Sequence, residues 1–169
     1  MILHQYSSIL FDCDGVILNS NKIKSQSFYD TGAKYCEDSA KELLEYHQRN
    51  GGVSRYVKFQ YFLDEILPKR YKNDKGKMPS LSTLLLEYKI KVERGILGCE
   101  IAKGLCELKE NTKNSDWLVV TGGDQEEVRT IFKKKNIYGY FNKGIYGSPK
   151  SKESILSELL EGRKIKRPS

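Results

Sequence analysis

The sequence predicts an α/β protein with a parallel sheet and a long helical insertion. Two short apolar runs, Ser8–Asp12 and Trp117–Thr121, have the pattern of buried strands, and each ends at a polar residue with glycine shortly after it. Segments with helical periodicity follow both runs. Strands that alternate with helices typically form a parallel sheet, and the long helical stretch between the two strands indicates an insertion.

The insertion is predicted to contain several helices. Between Ile23 and Leu67 apolar residues recur every three or four positions, and Gly51-Gly52 divides this region. The polar stretch Pro68–Pro79 is expected to be an exposed loop. Two further apolar helix faces follow it, one formed by Leu81, Leu84, Leu85, Tyr88 and Val92 and the other by Ile101, Leu105 and Leu108.

The C-terminal part continues the alternation. A helix is predicted over Gln125–Lys135, because it begins with acidic residues and ends with three lysines, as the helix dipole favours. Phe141–Tyr146 is a candidate third strand. The segment SPKSKESIL then opens a last helix that runs through Leu160.

Composition limits the class of protein. The chain has 169 residues, of which 38% are hydrophobic, enough for one core with a modest inserted subdomain. No apolar stretch approaches the roughly 18 residues of a membrane span, and the N-terminus lacks the pattern of a secretion signal. The four cysteines show no metal-binding spacing and are expected to be reduced thiols. We therefore expect a cytoplasmic protein without membrane association.

The net charge of +7 is unevenly distributed. Residues 1–128 contain 18 basic and 19 acidic side chains, whereas residues 129–169 contain 11 and 3. The basic character therefore belongs to the C-terminal quarter. Because the aromatic and glycine pattern of a nucleic-acid-binding module is missing, no nucleic-acid partner is expected.

Polar side chains follow the two predicted strands. In parallel sheets ligands bind beyond the carboxyl ends of the strands, where Asp12, Asp14 and Thr121 are expected to meet. Gly15 allows a sharp turn after the two acids. One carboxylate of such a pair can attack phosphorus while the other acts as general acid and base. The alternative for a single aspartate at this position is a helix-capping role.

Phosphoryl transfer also requires groups that bind the phosphoryl oxygens. The Thr121 hydroxyl and the Gly122 backbone amide can donate hydrogen bonds, and Lys152 or Lys150 near a helix start can supply positive charge. The alternatives are an ordinary helix cap for Thr121 and a surface position for either lysine.

Three segments, FDCDGVILNS, LVVTGG and YGSPKSKESIL, occur in the order found in the haloacid dehalogenase superfamily, and the chain resembles its phosphatase branch. The resemblance implies a Rossmann-like core in which Asp12 is the nucleophile and Asp14 the general acid/base. It also implies Mg²⁺ bound by the Asp12 carboxylate and the Asp14 backbone carbonyl. Thr121 then matches the second motif and Lys152 the third, with Lys150 as the alternative.

The resemblance further implies two domains. Residues 1–20 and 95–169 would form the α/β core, and residues 21–94 a helical cap. The loop around Gly51-Gly52 resembles cap loops of family members associated with bacterial surface-sugar biosynthesis. There Arg49, Arg55 and Lys58 are expected to hold a second anionic or hydroxylated part of the substrate. The alternative is a helix-helix turn with solvated charges.

The sequence departs from the family pattern in two respects. Asn19 replaces an acid that many relatives have. The fourth motif, one or two acids after another strand that complete the Mg²⁺ shell, would follow the last residue, Ser169, so we expect the final strand or strands of the core to be missing from this sequence.

The function expected from the sequence is therefore a Mg²⁺-dependent phosphatase of a small phosphorylated metabolite, such as a sugar phosphate, acting as a monomer or weak dimer. A phosphomutase of the same fold and a catalytically incompetent fragment or binding module remain alternatives.

Overall fold

The computed structural model describes residues 3–70, 78–162 and 165. These residues form three β-strands and seven α-helices. In chain order the elements are β1 Ser8–Phe11, α1 Asn21–Gly32, α2 Glu37–Arg49, α3 Arg55–Tyr61, α4 Leu81–Ile96, α5 Leu105–Asn111, β2 Asp116–Asp124, α6 Gln125–Lys134, β3 Ile145–Ser148 and α7 Lys152–Glu161. Among the described helices, none combines the length and apolar character needed to cross a bilayer.

The chain divides into two compact units. Residues 1–19 together with 99–169 form one unit, which contains the sheet. Residues 20–98 form the other, which contains α1 to α4. We call them the sheet unit and the helical unit.

The sheet is parallel throughout, with the strand order β1-β2-β3. Strand β1 pairs with β2 from Ser8 opposite Asp116 to Phe11 opposite Val119. Strand β2 pairs on its other side with β3, where Val119 lies opposite Ile145. The predicted α/β class with a parallel sheet is confirmed.

The middle strand β2 is buried on both faces, as its continuous apolar run predicts. Its alternate residues Leu118 and Val120 pack against Ile155 and Leu159 of α7. On the opposite face Trp117 joins an aromatic cluster; its ring centroid lies 4.5 Å from that of Phe11 and 5.8 Å from that of Phe141. The sheet is therefore packed against α7 on one face and against this aromatic cluster on the other.

The helical unit has its own aromatic core. The Phe28 ring of α1 lies 4.4 Å from Tyr88 of α4 and 5.0 Å from Phe59 of α3, measured between centroids. Gly51-Gly52 separates α2 from α3, as predicted, and Gly52 has a positive φ of 79° that favours glycine. The chain also breaks between α1 and α2, a break that the periodicity did not reveal.

Two predicted elements differ from the structure. Ile101 is not on a helix face; it forms an antiparallel bridge with Leu18, and α5 begins only at Leu105. The third strand begins at Ile145 rather than Phe141, which follows a 3-10 turn at Tyr138–Tyr140. The apolar side chain at position 141 packs in the aromatic cluster and does not mark the start of a strand. The predicted loop Pro68–Pro79 lies largely outside the described residues.

Candidate active site

The loop after β1 places two aspartates beside a tight turn. The Cys13 carbonyl accepts hydrogen bonds from the backbone N–H groups of Ile17 and Leu18 at 2.9 and 3.0 Å. Gly15 donates its own N–H to the Leu18 carbonyl at 2.8 Å and has a φ of 76°, a conformation that costs a residue with a side chain more than glycine. Asp14 is half-buried within this turn. The sequence DCDG thus folds back directly beyond the sheet edge.

The Asp12 carboxylate is held by two donors. Its Oδ1 accepts the backbone N–H of Cys13 at 2.7 Å, and its Oδ2 accepts a hydrogen bond from Lys152 Nζ at 2.7 Å. This ion pair is partly shielded, with the two side chains 38% and 27% exposed. A distance of 2.7 Å is typical of a charge-assisted hydrogen bond, and the remaining exposure leaves the carboxylate accessible.

The end of β2 bulges next to this loop. Between the pairs Val120–Tyr146 and Asp124–Ser148, β2 has three residues where β3 has only Gly147. An added Cβ at Gly147 would collide with the Gly123 carbonyl oxygen. The bulged residues are therefore Thr121, Gly122 and Gly123, and strand irregularities of this kind re-aim side chains near functional sites.

Thr121 lies at the same sheet edge as Asp12. Both follow the last β1–β2 pair, Phe11 opposite Val119, by one or two residues. Thr121 is fully buried, and its Oγ1 accepts the backbone N–H of Gly123 at 3.0 Å. A hydroxyl that accepts one hydrogen bond still has its proton to donate.

Helix α7 positions Lys152, its first residue. Ser151 caps the helix by accepting the N–H of Ser154 at 3.2 Å. Because Ile155 and Leu159 pack on β2, the helix start is anchored near the carboxyl end of the sheet. The second residue of the helix is Glu153. Hydrogen bonds from its own backbone amide and from the Ser151 hydroxyl lower the pKa of Glu153, which keeps an anion in the first turn.

Lys150 has a different partner. Its Nζ lies 2.7 Å from both carboxylate oxygens of Glu158 on the exposed side of α7. Of the two candidate lysines, the structure therefore brings Lys152 to Asp12 and pairs Lys150 with Glu158.

The three cations predicted to bind substrate lie in the helical unit, and two of them are buried there. Arg55 is 9% exposed, and its guanidinium carbon lies 5.3 Å from the Tyr88 ring centroid. Lys58 is 2% exposed, with Nζ 2.9 Å from His47 Nδ1. Arg49 is exposed and pairs with Glu45 at 3.3 Å. Contact between these residues and a substrate stays a prediction.

The donors present at the sheet edge suit Mg²⁺ in part. Mg²⁺ is typically bound by one or two carboxylates, with waters and substrate phosphate completing its shell. Asp12 and Asp14 offer such oxygens two positions apart. No group of three His, Cys, Asp or Glu side chains suited to a metal occurs among the residues that the structure describes. These residues therefore suit a Mg²⁺ ion whose remaining ligands are water molecules and the phosphate of the substrate.

Sequence reasoning missed Ser148 and Gln125. Ser148 Oγ donates to the Gly122 carbonyl at 2.7 Å, and Gln125 Oε1 accepts the N–H of Gly147 at 3.4 Å. The signal for Ser148 in the sequence was a hydroxyl residue two positions after a predicted strand, which is too common to single out.

Solved structures share this architecture. A haloacid dehalogenase-like family hydrolase from Streptococcus pneumoniae aligns over 96% of this chain and 72% of its own, with a TM-score of 0.59 and 17% identity. A predicted phosphoglycolate phosphatase from Haemophilus somnus aligns over 95% of this chain and 73% of its own, with a TM-score of 0.69 and 17% identity.

The chain has the haloacid dehalogenase-like fold. A predicted β-phosphoglucomutase from Thermotoga maritima has the same fold, with a TM-score of 0.59 at 15% identity over 95% of this chain and 72% of its own. No protein-family model and no curated protein matches the sequence. Because one haloacid dehalogenase-like fold hosts different activities, the function requires an argument from the residues themselves.

Proposed function

We propose that this protein is a Mg²⁺-dependent phosphatase that acts on a small phosphorylated metabolite, such as a sugar phosphate. The observation that carries the proposal is the 2.7 Å contact between Lys152 Nζ and Asp12 Oδ2 at the carboxyl edge of the sheet. This edge of the sheet brings together the partly exposed carboxylate of Asp12, a second acid two residues later in the sequence, and the cation of Lys152 from a helix that is distant in the sequence. This set of groups suits nucleophilic attack on phosphorus.

In the proposed reaction Asp12 attacks the phosphorus atom of the substrate. The bond from phosphorus to the ester oxygen breaks, and Asp14 gives its proton to the leaving oxygen. Asp14 then takes a proton from a water molecule, whose oxygen attacks the phosphorus of the aspartyl phosphate. Inorganic phosphate leaves, and the Asp12 carboxylate is restored.

The other groups stabilise charge during this sequence. Lys152 balances the negative charge on Asp12 and on the phosphoryl group, and Thr121 and the Gly122 amide donate to phosphoryl oxygens. The Asp12 carboxylate and the Asp14 backbone carbonyl would hold Mg²⁺, which supplies charge neutralisation at the phosphoryl group when bound.

The test is release of inorganic phosphate from an aryl phosphate and from a panel of sugar and polyol phosphates, with Mg²⁺ and with a chelator. Asp12→Asn is expected to abolish turnover, because an amide keeps the shape but cannot attack. Asp14→Asn is expected to lower kcat by about 100-fold to 10,000-fold. Asp116→Asn is the matched control, since Asp116 lies at the amino end of β2 and pairs with Lys143.

The outcomes separate the alternatives. Turnover by the Asp12→Asn protein would contradict the mechanism. Conversion of a sugar phosphate into its isomer without phosphate release would indicate a phosphomutase, which uses the same aspartate pair. Absence of turnover on every substrate, with the unaltered chain folded, would favour a binding module.

A further inference from the structure

One peptide unit in the bulge of β2 is held at both ends by hydroxyl groups. The Gly122 carbonyl accepts a hydrogen bond from Ser148 Oγ at 2.7 Å. The N–H of Gly123, which belongs to the same planar peptide, donates to Thr121 Oγ1 at 3.0 Å. Ser148 is 2% exposed and Thr121 is fully buried, so water does not compete freely for these bonds.

This arrangement determines what the Thr121 hydroxyl can do. Because Oγ1 already accepts the Gly123 N–H, its single proton remains for a ligand. Glycines on both sides of the peptide bond impose little restriction on its orientation. Without the Ser148 contact the peptide can rotate, and the Gly123 N–H then no longer fixes Thr121.

The neighbouring residue supports the same contact. Gly147 packs so closely that an added Cβ would lie 3.1 Å from Thr121 Cγ2 and would collide with the Gly123 carbonyl oxygen. Strand β3 therefore packs closely against the bulge at the residue that precedes Ser148.

We propose that Ser148 is a positioning residue for phosphate binding, which acts through the Gly122–Gly123 peptide on the Thr121 hydroxyl. This inference rests on the proposed phosphatase function. It adds a residue from the end of β3 that sets the direction of a phosphate donor through its hydrogen bond to the Gly122 carbonyl.

A purely structural role is the alternative, and the chain contains a matched control for it. Ser115 is 3% exposed, and its Oγ donates to the Tyr6 backbone carbonyl at 2.6 Å, at the amino end of β2. Ser115→Ala and Ser148→Ala each remove one buried hydroxyl-to-carbonyl bond from the sheet unit. Only Ser148→Ala is expected to change phosphate binding.

The experiment compares Ser148→Ala, Ser115→Ala, Thr121→Ala and the double variant Ser148→Ala/Thr121→Ala. The measurements are KM and kcat for an aryl phosphate and the Kd for inorganic phosphate by calorimetry. Ser148→Ala is expected to weaken phosphate binding about fivefold, as loss of one aligned hydrogen bond does. Ser115→Ala is expected to leave it unchanged. In the Thr121→Ala background the Ser148 substitution is expected to add less than about twofold.

Equal effects of the two serine substitutions, or additive effects of Ser148→Ala and Thr121→Ala, would overturn the positioning role while leaving the phosphatase proposal in place. Failure of the unaltered chain both to bind phosphate and to release it from any substrate would overturn both proposals. If Ser148→Ala does not fold, Ser148→Cys retains a weak donor of similar size and is compared in the same way.

Discussion

Lys152 Nζ donates a 2.7 Å hydrogen bond to Asp12 Oδ2 although the two residues are 140 positions apart in the sequence. The contact forms because β1 ends at Phe11 and α7 begins at Lys152, and both ends lie at the carboxyl edge of the sheet. A carboxylate held by two hydrogen bonds is fixed in its orientation, which is what a nucleophile requires.

The two lysines at the start of α7 are predicted to differ in function. Lys152→Ala removes the cation at Asp12, and we expect kcat/KM for an aryl phosphate to fall about 100-fold or more. Lys150→Ala breaks the surface pair with Glu158, so we expect less than about a twofold change. Steady-state kinetics of both variants with circular dichroism as a folding control checks this, and similar losses for the two lysines would contradict it.

Gly147 is predicted to be required by the close approach of β3 to the bulge. In Gly147→Ala the new Cβ meets the Gly123 carbonyl oxygen and Thr121 Cγ2, and we expect the free energy of unfolding to fall by about 1 to 3 kcal/mol. Gly139→Ala is the control, because no atom of the described residues beyond its own chain neighbours lies within 4 Å of the added Cβ there. Urea denaturation measures both, and equal stabilities would show that the strand can shift at no cost.

Substitution of Arg49 is expected to test contact with the substrate without disturbing the fold. Its side chain is 78% exposed in the pair with Glu45, so Arg49→Ala is expected to change the free energy of unfolding by less than about 0.5 kcal/mol. If Arg49 binds a second anionic or hydroxylated group, KM rises several-fold for a sugar phosphate and stays constant for an aryl phosphate. Equal KM changes for both substrates would exclude that specificity role.

Glu42 is predicted to make the stability of the helical unit depend on pH. Its carboxylate accepts hydrogen bonds from Lys69 and Arg70, each at 2.8 Å, and these two contacts, Lys69 first, lower the pKa of Glu42. Because the pKa is lower in the folded state than the unfolded value of about 4.3, the stabilisation is complete above that pH. It is lost as the pH falls through the lowered value.

The expected size of this effect is about 1 kcal/mol or less, since the three side chains are each about one-third to one-half exposed. Urea denaturation of the unaltered chain and of Glu42→Gln at pH 7 and between pH 5 and 3 measures it. The difference between the two proteins should shrink in acid, and a difference that is constant with pH would refute the assignment.

Several parts of this molecule could be predicted from local patterns. The apolar runs around Leu10 and Leu118 indicated the two strands, and the polar residues after them indicated the edge where Asp12 and Thr121 lie. The predicted burial is confirmed for β2 but not for β1, where Leu10 is 40% exposed. Gly51-Gly52 indicated the break between α2 and α3. In each case the physical cause acts over a few neighbouring residues, through periodic burial, a polar strand end or backbone freedom, and is therefore visible in the sequence.

Other parts depended on contacts between distant segments. Phe141 looked like a strand residue, but its ring fills a cluster with Phe11 and Trp117. The sequence indicated Lys58 as a substrate-binding cation, or alternatively as a solvated charge, whereas in the structure it is buried beside His47. These outcomes reflect packing partners that sequence spacing does not reveal, because tertiary burial overrides local preference.

By itself the sequence determined the parallel α/β class and the pair of aspartates beyond β1. Only the tertiary structure decided which lysine meets Asp12 and that Ser148 holds the Gly122 carbonyl. The reason is physical. An aspartate at a strand end is positioned by its own strand and turn, whereas Lys152 and Ser148 are positioned by α7 and β3, whose places depend on packing against β2.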